Sequence, residues 1–240
     1  MRNFSHFIIP SIDLLDGQIV RLHKGNYDEK TIYSISIDEL LNRYKNFANL
    51  HIVDLNGAKN DGQKNLDLIK EIREKFNGKI QVGGGIRSIE IIENMINNIK
   101  IDKIVLGTMA INDIIKTKEI ILKYGKEKII LALDCEEIDG KFILKSNGWK
   151  DFTYMLELYD LLFKYDGIAK YILVTDIATD GTLSGSNLSL YTDIKAKFPN
   201  FILQASGGIG SMQDVKNLEK ISDFVIIGKA MYENKLINDI

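Results

Sequence analysis

One arrangement of residues occurs twice in this chain, about 120 positions apart, and any fold must give both copies equivalent surroundings. The apolar run Phe7-Ile8-Ile9-Pro10-Ser11-Ile12 ends at Asp13, and Ile129-Ile130-Leu131-Ala132-Leu133 ends at Asp134, 121 residues later. Leu106-Gly107-Thr108 returns as Ile227-Gly228-Lys229 at the same offset of 121, and Gly84-Gly85-Ile86 returns as Gly207-Gly208-Ile209 after 123. A unit of this length is far too long for a solenoid repeat. It describes two half-domains, each bringing one carboxylate and two glycine turns to a shared centre.

Eight short apolar runs, at 7–13, 50–54, 79–82, 103–106, 129–134, 171–175, 201–205 and 224–227, alternate with stretches of helical period. The runs are almost continuously apolar, as strands buried on both faces should be. Between them, Leu66, Ile69, Ile72 and Phe76 recur at helical steps, as do Leu190, Ile194 and Phe198. Ser36-x-x-Glu39 and Ser211-x-x-Asp214 have the form of a capping box at a helix start. Connections of this length between strands imply crossovers, hence parallel pairing. Eight such units in a chain of 240 residues make a (β/α)8 barrel. An open doubly wound sheet would give no reason for matching residues at matching strand ends. No linker or composition break separates the halves, so one domain over 1–240 is expected, with half-barrels at about 1–123 and 124–240. Catalytic groups of such barrels sit at the carboxyl ends of strands, the place here of Asp13, Asp54, Asp134 and Thr175.

The net charge of −2, with acids and bases interspersed, gives no electrostatic reason to expect nucleic acid or an anionic membrane as partner. The single cysteine, Cys135, excludes an internal disulfide framework and fits a reducing compartment. The amino-terminal apolar run is broken by Pro10 and is too short for a signal peptide, and no run approaches the ~20 residues of a membrane span. A soluble, cytoplasmic protein is expected. His6, His23 and His51 show no ligand spacing, so no metal site is read; His51, at a strand start, is taken as structural. No G-x-S-x-G elbow is present.

Gly83-Gly84-Gly85-Ile86-Arg87 follows the third strand and Ser206-Gly207-Gly208-Ile209 the seventh, with Ser88 and Ser211 opening the next helices. Gly107-Thr108 and Gly228-Lys229 follow the fourth and eighth strands and complete each cradle. Successive glycines let a backbone approach a ligand closely, and helix starts present unpaired amide hydrogens. Any one of these glycines could merely allow a tight turn. Two composite cradles instead predict two anion sites at opposite sides of one barrel mouth, and an elongated substrate with a phosphate at each end. Arg87 and Lys229 stand where they could add full charges. Two carboxylates facing across the mouth, Asp13 and Asp134, can divide acid and base roles when their environments differ. The loop after the sixth strand, Thr175-Asp176-Ile177-Ala178-Thr179-Asp180-Gly181-Thr182-Leu183, is dense in hydroxyls and carboxylates. Trp149, the only tryptophan, falls in the loop after the fifth strand and could stack on a planar ring.

These residues, with Val20-Arg21-Leu22 and the continuation Ser184-Gly185-Ser186-Asn187, resemble the ProFAR isomerases of histidine biosynthesis over nearly the whole chain. The resemblance implies a barrel of the ribulose-phosphate-binding type that arose by half-barrel duplication. It implies an Amadori rearrangement of the aminoaldose ProFAR to the aminoketose PRFAR, without metal or organic cofactor. Asp134 then matches the general acid that protonates the ribose ring oxygen, and Asp13 the general base at C2. Thr175 matches a group that assists ring opening, and Asp180 lies in the same signature. Arg21, Arg87 and Trp149 match substrate contacts; Gly85, Gly107, Thr108, Gly181, Gly207, Gly208, Gly228 and Lys229 fall in the phosphate-binding turns. Ser11 stands where alanine is usual and Asn56 where aspartate is usual, and the segment Cys135–Asn147, read as a loop, diverges. No feature demands a partner chain, so a monomer is expected.

Three alternatives stay open on the sequence. One is the paralogous cyclase of imidazole glycerol phosphate synthase, against which Arg21 and Thr179-Asp180-Gly181-Thr182 weigh. Another is an isomerase that also accepts phosphoribosylanthranilate. A third is a non-catalytic phosphosugar-binding barrel, which would not need both aspartates.

Overall fold

The computed structural model describes residues 3–23, 25–59, 62, 64–146, 151–233 and 236, with 151–155 described by their backbone. Its first half contains β1 (Ile8–Leu15), β2 (Gln18–His23), β3 (Asn26–Ile32), α1 (Ile37–Tyr44), β4 (Asn49–Asp54), α2 (Leu55–Ala58) and α3 (Leu66–Lys75). There follow β5 (Lys79–Gly83), α4 (Ile89–Glu93) running into a wider turn at Asn94–Asn98, β6 (Lys103–Leu106), α5 (Thr108–Asn112) and α6 (Ile114–Tyr124). The second half begins with β7 (Ile129–Ile138), β8 (Lys141–Ser146), β9 (Asp151–Glu157) and α7 (Leu158–Tyr165). It ends with β10 (Tyr171–Asp176), α8 (Leu188–Lys197), β11 (Ile202–Ser206), α9 (Met212–Leu218), β12 (Phe224–Ile227) and α10 (Lys229–Tyr232).

Strands β1, β4, β5, β6, β7, β10, β11 and β12 pair in that order, each parallel to the next, and β12 closes on β1. They are the eight runs expected from the sequence, and they form a closed (β/α)8 barrel. The amphipathic helices bury the stripes read from their spacing: Ile69 and Ile72 on α3, Leu190 and Ile194 on α8. Each fully buried side chain of this kind contributes about 1.5–3 kcal/mol. Helix starts are fastened as their serines suggest. The Glu39 amide donates to Ser36 Oγ at 3.1 Å. At Ser211 both halves of a capping box are made, with Asp214 N donating to Ser211 Oγ and Ser211 N to Asp214 Oδ2. Such a cap contributes about 1 kcal/mol.

Within each barrel strand, alternate residues face inward. Ile9, Val105, Ile130, Tyr171, Leu173 and Ile226 form an apolar floor separate from the larger core between strands and helices. Also inside the barrel, Gln81 and Gln204, 123 residues apart in the chain, exchange amide hydrogen bonds of 2.8 and 3.0 Å. This reciprocal pair joins equivalent positions of the two halves across the barrel. Val105, Leu173 and Ile226 of the apolar cluster face the cavity, which has Asp13, Asp134 and Thr175 on its wall.

Two antiparallel hairpins depart from the sequence reading. β1 and β7 do not stop at Asp13 and Asp134 but continue to Leu15 and Ile138, then turn back as β2 and β8. The segment after Asp134 that was read as an acidic loop is therefore strand on both sides of a tight turn. Both turns are Asp-Gly, Asp16-Gly17 and Asp139-Gly140, with φ of 50° and 75° in the first and 50° and 76° in the second. Positive φ at both positions is the two-residue turn whose twist matches paired strands, and Asp-Gly is its sequence signal. No helix among the described residues is long and apolar enough to cross a membrane.

Candidate active site

The carboxyl end of the barrel holds a cavity of about 440 Å³ whose wall includes Asp13, Arg21, Gly85, Arg87, Gly107, Thr108, Asp134, Thr175, Asp180 and Gly228. A recess of about 20 Å³ adjoins it, lined by Arg21, Asp180, Gly181, Gly207, Gly208, Gly228 and Lys229. All the candidate catalytic and phosphate-binding residues named from the sequence, Trp149 and Asp54 excepted, therefore meet at one mouth, whereas Asp176, Thr179 and Thr182 do not line it. Trp149 lies outside the described residues.

Strand parity decides which strand-end carboxylates face the cavity. On β1, Ile9 and Asp13 point inward while Ile12 and Leu14 pack against helices. On β4 the inward residues are His51 and Val53, so Asp54 points out of the barrel. Asp54 is fully buried and caps α2, its Oδ1 accepting from Gly57 N at 3.2 Å and from Asn65 Nδ2 at 2.6 Å. Burial pushes its carboxyl above the usual range, partly offset by those hydrogen bonds. Asp176, the equivalent position on β10, accepts from Asn187 Nδ2 at 2.9 Å. In each half, an aspartate is clipped to an asparagine 11 residues later, which closes the loop. The expectation of a catalytic place for Asp54 is corrected accordingly: its role is to hold a loop.

Asp13 is buried and accepts two hydrogen bonds, from Ser11 Oγ at 3.3 Å and from Arg21 Nη1 at 3.0 Å. Ser11 thus contributes a hydroxyl donor to this carboxylate. Arg21, on β2, also donates Nη2 to both oxygens of Asp180, at 2.7 and 2.8 Å. Burial disfavours the guanidinium charge, but Asp180 and then Asp13 outweigh it and hold Arg21 above its ordinary pKa. Its Nε is buried and has no hydrogen-bond partner among the described residues. Asp134 is only half-buried, and it lies beside Thr175 in the β7–β10 register. The two aspartates thus share one opening but not one environment.

His51 was read as structural, yet it is an inward residue on the cavity wall. Its Nδ1 lies 3.0 Å from Gln81 Nε2, which can only donate, so the imidazole proton sits on Nε2. Burial, and secondarily the Arg21 charge, lower its pKa to about 4, so the ring is neutral near pH 7. Nothing in the sequence distinguished a barrel-lining histidine from a core one. Lys145, on β8, also lines the cavity and was missed, because its strand was read as a loop.

The glycine turns have a packing reason in addition to any ligand. A Cβ on Gly85, whose φ is 69°, would sit 2.3 Å from the Gly57 carbonyl, and one on Gly208, at φ 77°, only 2.0 Å from Gly185 O. Neighbouring loops lock together at these contacts. Arg87 spends its guanidinium on the same joint, donating to the carbonyls of Gly57 and Ala58 at 2.8 and 3.2 Å. Lys229 Nζ donates to Gly181 O at 2.9 Å. Asn56 Oδ1 accepts from Asp16 N and its Nδ2 donates to Asp16 Oδ1, both at 2.8 Å. An aspartate there would face the Asp16 carboxylate. The hydroxyls of Thr179 and Thr182 are used inside their own loop, on Asp176 O and Thr179 O, which leaves Asp180 as its contact with Arg21.

The chain is similar to known proteins over nearly its whole length. Residues 7–237 match the family described as histidine biosynthesis protein. A protein of Francisella philomiragia is 40% identical over 233 residues, covering 95% of both chains. One of Campylobacter jejuni is 39% identical over 94% of this chain and 93% of its own, and one of Buchnera aphidicola 42% identical over 95% and 96%. Each of the three is named a 1-(5-phosphoribosyl)-5-((5-phosphoribosylamino)methylideneamino) imidazole-4-carboxamide isomerase.

Proposed function

The chain belongs to the histidine biosynthesis protein family, and on that premise we propose how its cavity carries out the isomerase reaction. The protein is the aminoaldose–aminoketose isomerase of histidine biosynthesis, converting ProFAR to PRFAR. Asp134 gives its proton to the ribose ring oxygen as the ring opens to a Schiff base. Asp13 then removes the proton from C2, and Thr175 assists ring opening from the strand beside Asp134. Each proton transfer is asked for roughly 10²–10⁴ in rate. One phosphate lies at Gly85, Arg87, Gly107 and Thr108, the other at Gly181, Gly207, Gly208, Gly228 and Lys229, with Arg21 and Asp180 between the second phosphate and the sugar.

The observation that carries these roles is that Asp13 and Asp134 stand on the wall of one cavity in different surroundings. Asp13 accepts from a guanidinium and a hydroxyl, which suits a group that takes a proton. Asp134 is less buried and borders the open volume. We further propose that the chain works as a monomeric, single-domain protein of the cytoplasm. Gel filtration at assay concentration should then give a mass near 27.2 kDa, and a stable dimer would contradict it.

The test of function is incubation of the purified protein with ProFAR alone. Formation of PRFAR without ammonia or a second protein is the expected result. No conversion, together with cyclisation of PRFAR once ammonia is supplied, would overturn the reading.

A further inference from the structure

Asp134 and Glu136 are two residues apart on β7 and so face the same side of the strand. Directly opposite Asp134 in the antiparallel register is Lys145 of β8. Residues so placed have their β-carbons about 5 Å apart. The Lys145 ammonium forms an ion pair with Glu136, its side chain is only 13% exposed, and it lines the cavity alongside Asp134. The equivalent place in the first half, opposite Asp13, is held by Val20. At this register position one half therefore has a cation and the other an apolar side chain; the cation beside Asp13 is Arg21, the residue after Val20.

We propose that Lys145, steered by Glu136, is a positioning residue that sets how readily Asp134 releases its proton. The inference rests on Asp134 being the general acid. In that step the Asp134 O–H bond breaks and a bond to the ring oxygen forms. The C1–O pair stays with the oxygen, the substrate nitrogen forms C=N, and a carboxylate is left on Asp134. That charge appears next to the Lys145 ammonium, which stabilises it. Glu136 opposes this by drawing the ammonium toward itself, so the pair gives Asp134 a partial rather than a full counter-charge.

The other charges around Asp134 are engaged elsewhere. Arg21 is held between Asp13 and Asp180. Arg87 is held by the carbonyls of Gly57 and Ala58. From the flanking strands β6 and β10 come Gly107 and Thr175, which add no charge. Asp113 and Lys116 enter the wall together from the start of α6, the aspartate accepting from the lysine's amide, and His51 is uncharged near pH 7. Among the described residues, Glu136 and Lys145 are the two charges whose removal acts on Asp134 most directly and with opposite sign.

The experiment is the pH profile of kcat/KM for ProFAR in Lys145→Met, Lys145→Arg and Glu136→Gln, with circular dichroism to check folding. The limb at which activity falls as the acid deprotonates should move up by about half to one pH unit in Lys145→Met and down by a similar amount in Glu136→Gln. Lys145→Arg should leave it near the wild-type position, which a purely steric role for the side chain does not require. If Lys145→Met fails to fold, Lys145→Gln is expected to show the same upward shift. A limb unmoved in the neutral variants, or moved the same way by both, overturns the proposal. Asp134→Asn separates this from the parent reading: a limb that persists in that variant would overturn the acid assignment itself.

Discussion

At the first-half end of the cavity, Gly84, Gly85, Gly107 and Thr108 lie on the wall of the main volume. At the second-half end, the matching Gly207, Gly208 and Gly228 line a small recess over which Asp180 grips the Arg21 guanidinium with both oxygens. The backbones are close copies: Gly107 has φ −96° and ψ −93°, Gly228 −103° and −84°. The difference comes from side chains, and chiefly from one that crosses between halves. Arg21 belongs to the first-half hairpin, yet its Nη2 donates to both oxygens of Asp180 and a Cβ on Gly228 would stand 3.2 Å from its Nη1. The equivalent hairpin of the second half carries Lys145, whose partner Glu136 is on its own hairpin. The turns are alike in the two halves, and different side chains on the two hairpins make the ends unequal.

The sharpest way to break this comparison is to remove the carboxyl from each half separately. Asp13→Asn and Asp134→Asn are each expected to lose about 10²–10⁴ in kcat with normal circular dichroism. Steady-state assays with ProFAR check this, and a variant with near-wild-type kcat removes its residue from the mechanism. The glycine joints should behave alike in both halves if the backbones are copies. Gly85→Ala and Gly208→Ala each drive a methyl group into carbonyl backbone at positive φ, for a loss of about 3 kcal/mol in urea unfolding. Gly107→Ala, whose nearest contact would be 3.8 Å, should lose clearly less stability than either, with any defect in KM. Equal losses at all three positions would show that the joints are not the reason for glycine.

Arg21→Met tests the inequality of the ends. It leaves Asp13 and Asp180 without their shared cation, and should cost about 2–3 kcal/mol of stability and raise KM. An unchanged KM would mean that the guanidinium does not serve the second cradle.

The smallest effect concerns His51, whose imidazole is held neutral by burial with a pKa of about 4. Because the folded value lies below the unfolded one of about 6.5, the unfolded chain binds the proton first, and stability falls as pH drops from 6.5 toward 4. Between pH 6.5 and 5.5 the loss attributable to this group is about 1 kcal/mol. His51→Gln should flatten that part of the stability–pH curve measured by urea titration, and an unaltered slope would contradict the buried neutral ring.

The barrel was legible because eight apolar runs at crossover spacing and a twofold repeat admit few alternatives. The serine caps were legible because they are local. Asp54 was misplaced because continuous apolar strands conceal their parity: Leu50, Ile52 and Asp54 face the helices while His51 and Val53 face the cavity, and composition does not tell the two sets apart. The hairpins are less legible although Asp16-Gly17 and Asp139-Gly140 carry the strongest short turn signal, because the charged residues that follow Asp134 on β7 and β8 break the apolar pattern of a strand. The Arg21–Asp180 contact joins residues 159 apart and follows from no spacing rule. The paired roles of the glycines, in loop joints and in the cradles, became visible only once Gly57 and Gly185 were found against them.

The central claim is that two carboxylates from opposite halves serve one sugar whose phosphates rest in the two cradles. A crystal structure of the protein with PRFAR bound tests it most directly. The account requires one phosphate against Gly85 and Gly107, the other against Gly208 and Gly228, and Asp13 and Asp134 each within hydrogen-bond distance of the same opened ribose. Both phosphates at one end, or either carboxylate turned away from that sugar, would contradict it.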